Sequence, residues 1–172
     1  MKRMIFLLAL SALPFLAGAQ DFIDDVFNKY SGKDNFTSIV ISKDLLDFAF
    51  TIDKSKDLDK LKGKISDLKI LISDNKGENS IGFTSEIRDN LNKNSYLSLI
   101  EILDGKTKVN FYVKKDNDKI VHLLLLATEK DSEVLLSLKG QFTMKELVEI
   151  GNDSNSHGSF HHLSYLKNLE RR

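Results

Sequence analysis

Histidines are the side chains with most chemistry to offer in this 172-residue sequence, which contains four of them and no cysteine. His122 lies within the apolar run 120–127, where the alternation of a strand places it on one face with Leu124 and Leu126. There it would serve either as a core histidine with one hydrogen bond or as the base of a hydrolase. No neighbouring motif supplies a catalytic partner, so a hydrolase built around His122 is kept as the alternative hypothesis.

The other three histidines, His157, His161 and His162, lie close together near the end of the chain. Residues four apart share one face of a helix, and two imidazoles there can chelate zinc, copper or nickel. Gly158 and Ser159 weaken such a helix, and no carboxylate or cysteine nearby completes the ligand set. We therefore predict a solvated tail and keep these histidines only as candidate metal ligands. No cofactor is predicted.

One strand offers a candidate binding face. Apolar and polar residues alternate over 109–114, and the polar positions are Asn110, Tyr112 and Lys114. If this side of the sheet is open, the three residues would meet an envelope protein, a peptide or a small ligand.

Composition excludes several classes of function. Twenty-five basic residues balance 25 acidic ones, which argues against a nucleic-acid partner. The lack of cysteine excludes disulfides, thiolate metal sites and a cysteine nucleophile. No nucleophile elbow, zinc-protease motif, phosphate-binding loop or dinucleotide fingerprint occurs. These absences favour a protein that is not an enzyme.

The first 19 residues have the pattern of a secretory signal peptide. Lys2 and Arg3 precede an apolar stretch over 4–13, and the small residues 17–19 form a cleavage site. We expect export by the Sec-type route to the periplasm, the cell surface or the medium. The stretch is too short to span a bilayer, so no transmembrane segment is expected in the mature chain, and without cysteine no lipid anchor can form. Cleavage would leave two more acidic than basic residues.

The remaining pattern predicts a single α+β domain over 20–150, followed by a polar tail over 151–172 with a short helix. The clearest feature is a four-strand antiparallel meander over about 96–139, with turns at Asp104-Gly105, 116–118 and 129–132. Two earlier strands are predicted at 37–41 and 68–72, and the helices are expected to pack mainly on one face of the sheet.

Helix-capping residues mark where the helices begin. Ser42 and Thr84 are candidate N-caps for the helices that follow them. Thr143 and Glu146 form a capping box, which predicts a final helix over about 144–150.

Five segments in this order and spacing resemble the domain of unknown function 4252 family, exported proteins of Bacteroidetes-type bacteria. The segments are 27–30, 37–43, 63–71, 109–113 and 135–140. The resemblance implies export and a small single domain, and it carries over no catalytic residue. We interpret the sequence as a non-enzymatic binding or interaction domain of the cell envelope. The alternatives kept open are the hydrolase and metal binding by the tail.

Overall fold

The computed structural model of the chain describes residues 21–52, 62–74 and 82–147. Its elements, in chain order, are α1 (Phe22–Tyr30), β1 (Phe36–Ser42), α2 (Lys43–Ile52), β2 (Ile65–Asp74), α3 (Thr84–Leu91), a 3₁₀ turn (Asn92–Asn94), β3 (Tyr96–Asp104), β4 (Thr107–Asp116), β5 (Lys119–Thr128) and β6 (Ser132–Phe142). Residues 144–147 are again helical. The predicted α+β class is confirmed. The predicted signal peptide and the tail lie outside the described residues.

All six strands belong to one antiparallel sheet with the order β1-β2-β6-β5-β4-β3. Strands β3 to β6 follow one another as neighbours, joined by tight turns at which Gly105 and Asn117 adopt positive φ angles. β2 then lies on the far side of β6, and β1 pairs with β2 at the edge. In the described part of the chain, β1 and β3 are therefore the edge strands.

The sheet has a hydrophobic core on each side, because its central strands carry apolar residues on both of their sides. In β5, Leu123 and Leu125 point to one core, on the side we call face A. Leu124 and Leu126 point to the other core, on face B. A strand that is apolar on both sides must be covered on both.

Helices accordingly contribute to both cores. Ile23 of α1 and Ile87 of α3 pack on face B, while Leu46 of α2 and Leu147 pack on face A. The prediction that the helices pack mainly on one face is thus not confirmed. None of the described helices is long and apolar enough to cross a bilayer.

Two of the predicted helix caps are present. The Leu45 N–H donates to Ser42 Oγ at 3.4 Å, at the start of α2. The Thr143 N–H donates to Glu146 Oε2 at 2.8 Å, and the Glu146 N–H donates to Thr143 Oγ1 at 3.3 Å. This reciprocal pair is a capping box, and it begins the helical residues 144–147.

Helix α3 is capped from another element, contrary to the prediction that Thr84 caps it. The Glu133 carboxylate of β6 accepts the N–H groups of Phe83 (2.7 Å) and Thr84 (3.0 Å). A negative charge is favourable at this end of a helix. Gly82 lies so close to this carboxylate that a Cβ atom there would overlap it. A side chain at position 82 would therefore displace the Glu133 carboxylate from its capping position.

Candidate functional site

His122 lies at the centre of a buried polar cluster on face B. Its Nδ1 is 2.5 Å from the Tyr96 hydroxyl of β3 and 3.2 Å from Asp21 Oδ2. Its Nε2 is 2.7 Å from the Ser137 hydroxyl of β6. We call these four residues the His122 cluster. Ser137 lies on β6, the strand next to β5. Tyr96 reaches His122 from β3 across β4, because both residues are in register with Lys114 and alternation directs them to the same face.

Asp21 connects the cluster to the first helix. Its Oδ1 accepts the Ile23 N–H at 3.1 Å, so Asp21 is the N-cap of α1. Its Oδ2 faces both His122 and the Lys139 ammonium, which is 3.2 Å away. Burial alone would raise the pKa of Asp21, but the hydrogen bonds and positive charge around the carboxylate outweigh it. The pKa therefore lies well below the usual 3.8, and Asp21 is ionised.

The contact between Asp21 and Nδ1 bears on the tautomer of His122. A carboxylate only accepts hydrogen bonds, so this contact favours a hydrogen on Nδ1, whereas a Tyr96 hydroxyl that donates would require Nδ1 to accept. The Ser137 hydroxyl can rotate, and it can donate to Nε2 or accept from it. Each buried polar side-chain atom in the described residues has a hydrogen-bond partner. The buried polar atoms of the cluster are therefore all hydrogen-bonded.

Tyr96 stays protonated beside this anion. Burial is the main reason that the pKa of the Tyr96 hydroxyl is strongly raised, and the negative charges of Asp21 and Asp24 add to the effect. Its ring also makes edge contacts with Phe22 of α1 and with His122, at centroid distances of 5.7 and 5.5 Å.

Ion pairs extend the cluster toward β2. Lys139 Nζ is 2.7 Å from Asp24 Oδ2, and Lys69 Nζ is 2.8 Å from Asp24 Oδ1. Asp67 lies 3.2 Å from the same Lys69. Burial acts to raise the pKa of Asp24, but the two ammonium groups lower it below its usual value. The first turn of α1 is thereby attached to both β2 and β6.

Ser137, His122 and Asp21 are arranged as the nucleophile, base and orienting acid of a serine hydrolase are. The hydroxyl that would attack a substrate is closed off, however. Ser137 is 1% exposed and His122 is 2% exposed. A nucleophile must reach the substrate carbonyl, so this geometry holds α1 on the sheet but gives no access to a reacting molecule.

The predicted binding-face residues also lie on face B. Asn110 is buried, and its Oδ1 accepts from Arg88 Nη2 of α3 at 3.4 Å. Tyr112 is half-buried against the face B core, and Lys114 Nζ lies 5.7 Å from the Tyr96 ring. Helices α1 and α3 cover this side of the sheet, so Asn110 is not available to a partner. A binding role for Tyr112 and Lys114 stays a prediction.

A surface cleft lies away from the His122 cluster. It has a volume of about 440 Å³, and the turns after β3 and β5 line it together with the end of β2, which contributes Asp74. Its charges are mixed, and Ser137 is not among its residues. Within 21–52, 62–74 and 82–147, no group of three or more carboxylates and histidines could hold a metal ion. His157, His161 and His162 lie outside these ranges, so their metal binding stays a prediction.

Comparison with known proteins gives a family and no activity. A family model described as Domain of unknown function (DUF4252) matches residues 30–150. The chain belongs to this family. No curated protein and no solved structure is significantly similar to it. The family match begins at Tyr30, so it covers His122, Ser137 and Lys139, while Asp21 and Asp24 precede it.

Proposed function

We propose that this protein is an exported, non-enzymatic interaction domain of the cell envelope, and that the edge strand β1 is its binding surface. Export rests on the signal-peptide pattern over residues 1–19. The interaction rests on one observation, the exposed apolar side chains on β1 and on the neighbouring helix α2.

The β1 edge exposes apolar side chains on both faces of the sheet. Val40 is 63% exposed on face B, and Ile39 is also exposed on face A. On α2, Leu45 and Phe48 are more than half exposed as well. We call these four residues the β1 surface. Exposed apolar side chains at a sheet edge are typical of a place where another chain binds.

The other edge strand, β3, has features that protect a sheet edge from pairing. A register shift between Ser98 and Ile100 bends it, and Glu101 forms an ion pair with Lys108 at 2.6 Å. Bulges and charges of this kind discourage a further strand from adding. β1 has an uninterrupted register with β2 and no charged residue over Phe36–Ser42. This difference favours β1 as the binding edge.

Site-specific photo-crosslinking in the native host tests the proposal. A benzophenone amino acid at Val40 should give a defined covalent adduct that mass spectrometry can identify. The same amino acid at Leu97 is the matched control, because Leu97 is similarly exposed (55%) but lies on β3. No adduct, or equal adducts from both positions, would contradict a binding surface at β1. Export is tested separately, since the processed chain should begin at Gln20 and fractionate with the envelope.

The Ser137–His122–Asp21 geometry supports a hydrolase as the second candidate function. A fluorophosphonate probe, which labels activated serines, distinguishes the two candidates. We expect no labelling of Ser137 in the folded protein, because its hydroxyl is closed off. Labelling that the Ser137→Ala variant loses would instead support the hydrolase.

A further inference from the structure

In β1, the backbone N–H and C=O groups of alternate residues point away from β2, toward the edge of the sheet. The Asp74 N–H donates to the Asn35 carbonyl at 2.9 Å, and the register continues as Phe36 opposite Ser73. Hydrogen-bonded and non-bonded pairs alternate in an antiparallel ladder, so the odd-numbered residues of β1 bond to β2. The outward-pointing groups that a further strand could bond are therefore the N–H and C=O of Ser38 and Val40, the Phe36 C=O and the Ser42 N–H. The Phe36 N–H already donates to the Lys33 carbonyl at 3.2 Å, and the Ser42 C=O accepts the first hydrogen bond of α2.

These outward groups are complementary to a second copy of the same strand. An antiparallel pairing with Ile39 on a two-fold axis places Ser38 opposite Val40 of the other copy, and Phe36 opposite Ser42. Each of these is a pair of outward-facing residues, and with the Phe36 N–H and the Ser42 C=O already used, about six backbone hydrogen bonds would form. Moving the axis by two residues, to Thr37 or Ile41, shortens the overlap. Moving it by one, to Ser38 or Val40, also leaves fewer bonded pairs.

The side chains suit the same arrangement. Ile39 would meet Ile39 of the other copy in a non-bonded pair, where side chains approach most closely. Exposed Val40 would lie beside Ser38 on face B. On face A, α2 of each copy follows its own β1 directly and packs through Leu46, so its exposed Leu45 and Phe48 belong to the same side of the sheet as Ile39.

The charges near β1 also permit self-pairing. No residue of Phe36–Ser42 is charged, so no like charges meet across the axis. A lysine and an aspartate lie next to each end of the strand, as Lys33-Asp34 and Lys43-Asp44. In a two-fold antiparallel pairing, the start of β1 in one copy lies beside the end of β1 in the other. Two lysines and two aspartates then lie at each end of the interface, so their net charge there is zero.

We propose that two copies of this protein associate through β1 into one continuous antiparallel sheet with Ile39 on the two-fold axis. This inference rests on the proposed function, because it names the partner that binds the β1 surface. It is an isologous interface, in which the same strand serves both partners.

Sedimentation and mutagenesis test the association. The protein purified as its host processes it should sediment as a dimer and dissociate on dilution. Val40→Lys should raise the dissociation constant at least about tenfold, since lysine is a residue that natural edge strands use against pairing. Leu103→Lys is the matched control, because Leu103 is 71% exposed on the other edge, and this variant should remain dimeric. Circular dichroism should show both variants folded.

Cysteine crosslinking tests the register. The chain has no cysteine of its own, so any disulfide must form through the introduced residue. Non-bonded antiparallel pairs have Cα atoms about 4.5 Å apart, within the range of a disulfide. Ile39→Cys should therefore oxidise to a covalent dimer, whereas Val40→Cys and Leu97→Cys should not.

A wild-type protein that is monomeric would overturn the proposed dimer. A wild-type dimer would also contradict the β1 interface if Val40→Lys left it intact, or if it crosslinked through a cysteine position other than 39. A monomer that still forms an adduct from Val40 with a different protein would overturn the dimer and leave the proposed function standing. A monomer without any adduct would overturn both. An adduct at twice the chain mass would support both.

Discussion

Replacing Asp21 by asparagine tests how much its charge stabilises the fold. Asparagine can still accept the Ile23 N–H, which is 3.1 Å from Oδ1, so the N-cap of α1 is retained. What is lost is the negative charge opposite His122 and Lys139, each 3.2 Å from Oδ2. The substitution thus separates the charge from the cap.

The expected loss follows from these two contacts. A hydrogen bond to a charged group contributes about 1.5–3 kcal/mol, compared with about 0.5–1.5 kcal/mol between neutral groups. With about 1 kcal/mol lost at each contact, Asp21→Asn should lower the free energy of unfolding by about 2 kcal/mol at pH 7. For a domain of this size, that corresponds to a melting temperature lower by about 7 °C.

The pH dependence provides a second readout with a definite sign. Because the pKa of Asp21 is lower in the folded chain than its unfolded value of 3.8, the stability it provides is fully present above that value. It is lost as the pH falls below 3.8 toward the folded pKa. The stability gap between wild type and Asp21→Asn should therefore be constant near pH 6–7 and shrink below about pH 4.

Urea unfolding followed by far-ultraviolet circular dichroism measures both quantities, since the chain has no tryptophan for fluorescence. Asp34→Asn in the exposed loop before β1 is the control, and it should change stability by less than about 0.5 kcal/mol. An equal effect of the two substitutions, or a gap that does not change in acid, would refute an electrostatic role for Asp21.

Three further predictions concern other contacts. Gly140→Ala should destabilise the protein by about 1–3 kcal/mol, because a Cβ there would overlap the Lys64 carbonyl oxygen and the Phe142 ring; an unchanged urea midpoint would contradict the overlap. Glu133→Gln should speed amide hydrogen exchange in α3, because the charged cap of that helix is lost; unchanged exchange would rule out capping from β6. Lys64 and the Thr143 N–H lower the pKa of Glu146 to about 2. Glu146→Gln should therefore lower the free energy of unfolding at pH 6, and this difference from wild type should disappear as the pH falls from about 4.5 to about 2. A difference that does not change with pH would contradict the prediction.

Local patterns were enough to predict much of the fold. The α+β class followed from alternating apolar residues, and the capping box of Thr143 and Glu146 follows a spacing rule that needs no tertiary information. The Ser42 cap was predicted on the same basis. The Thr84 cap was wrong because its real counterpart, Glu133, comes from a distant strand. Coverage of both sheet faces was missed, although the doubly apolar β5 is a signal for it.

The His122 cluster depends on contacts that no local pattern shows. The histidine was recognised as a residue of interest, but its partners Asp21, Tyr96 and Ser137 come from three other parts of the chain. One signal was present. His122 interrupts a side of β5 that also carries Leu124 and Leu126. A polar residue among buried apolar ones indicates a hydrogen-bonding partner on a neighbouring strand.

The order of strands in the sheet constrains when the fold can form. β2 lies between β1 and β6, so the strand pair β1–β2 cannot join the rest of the sheet until β6 has been made. Ile65 pairs with Gly140, and Lys139 and Asp24 bring α1 to the same place. Such pairings between distant parts of a chain are slow to form because a long loop must close first. A chain emerging from a ribosome or a membrane channel would thus remain incompletely folded until the residues up to Phe142 were free.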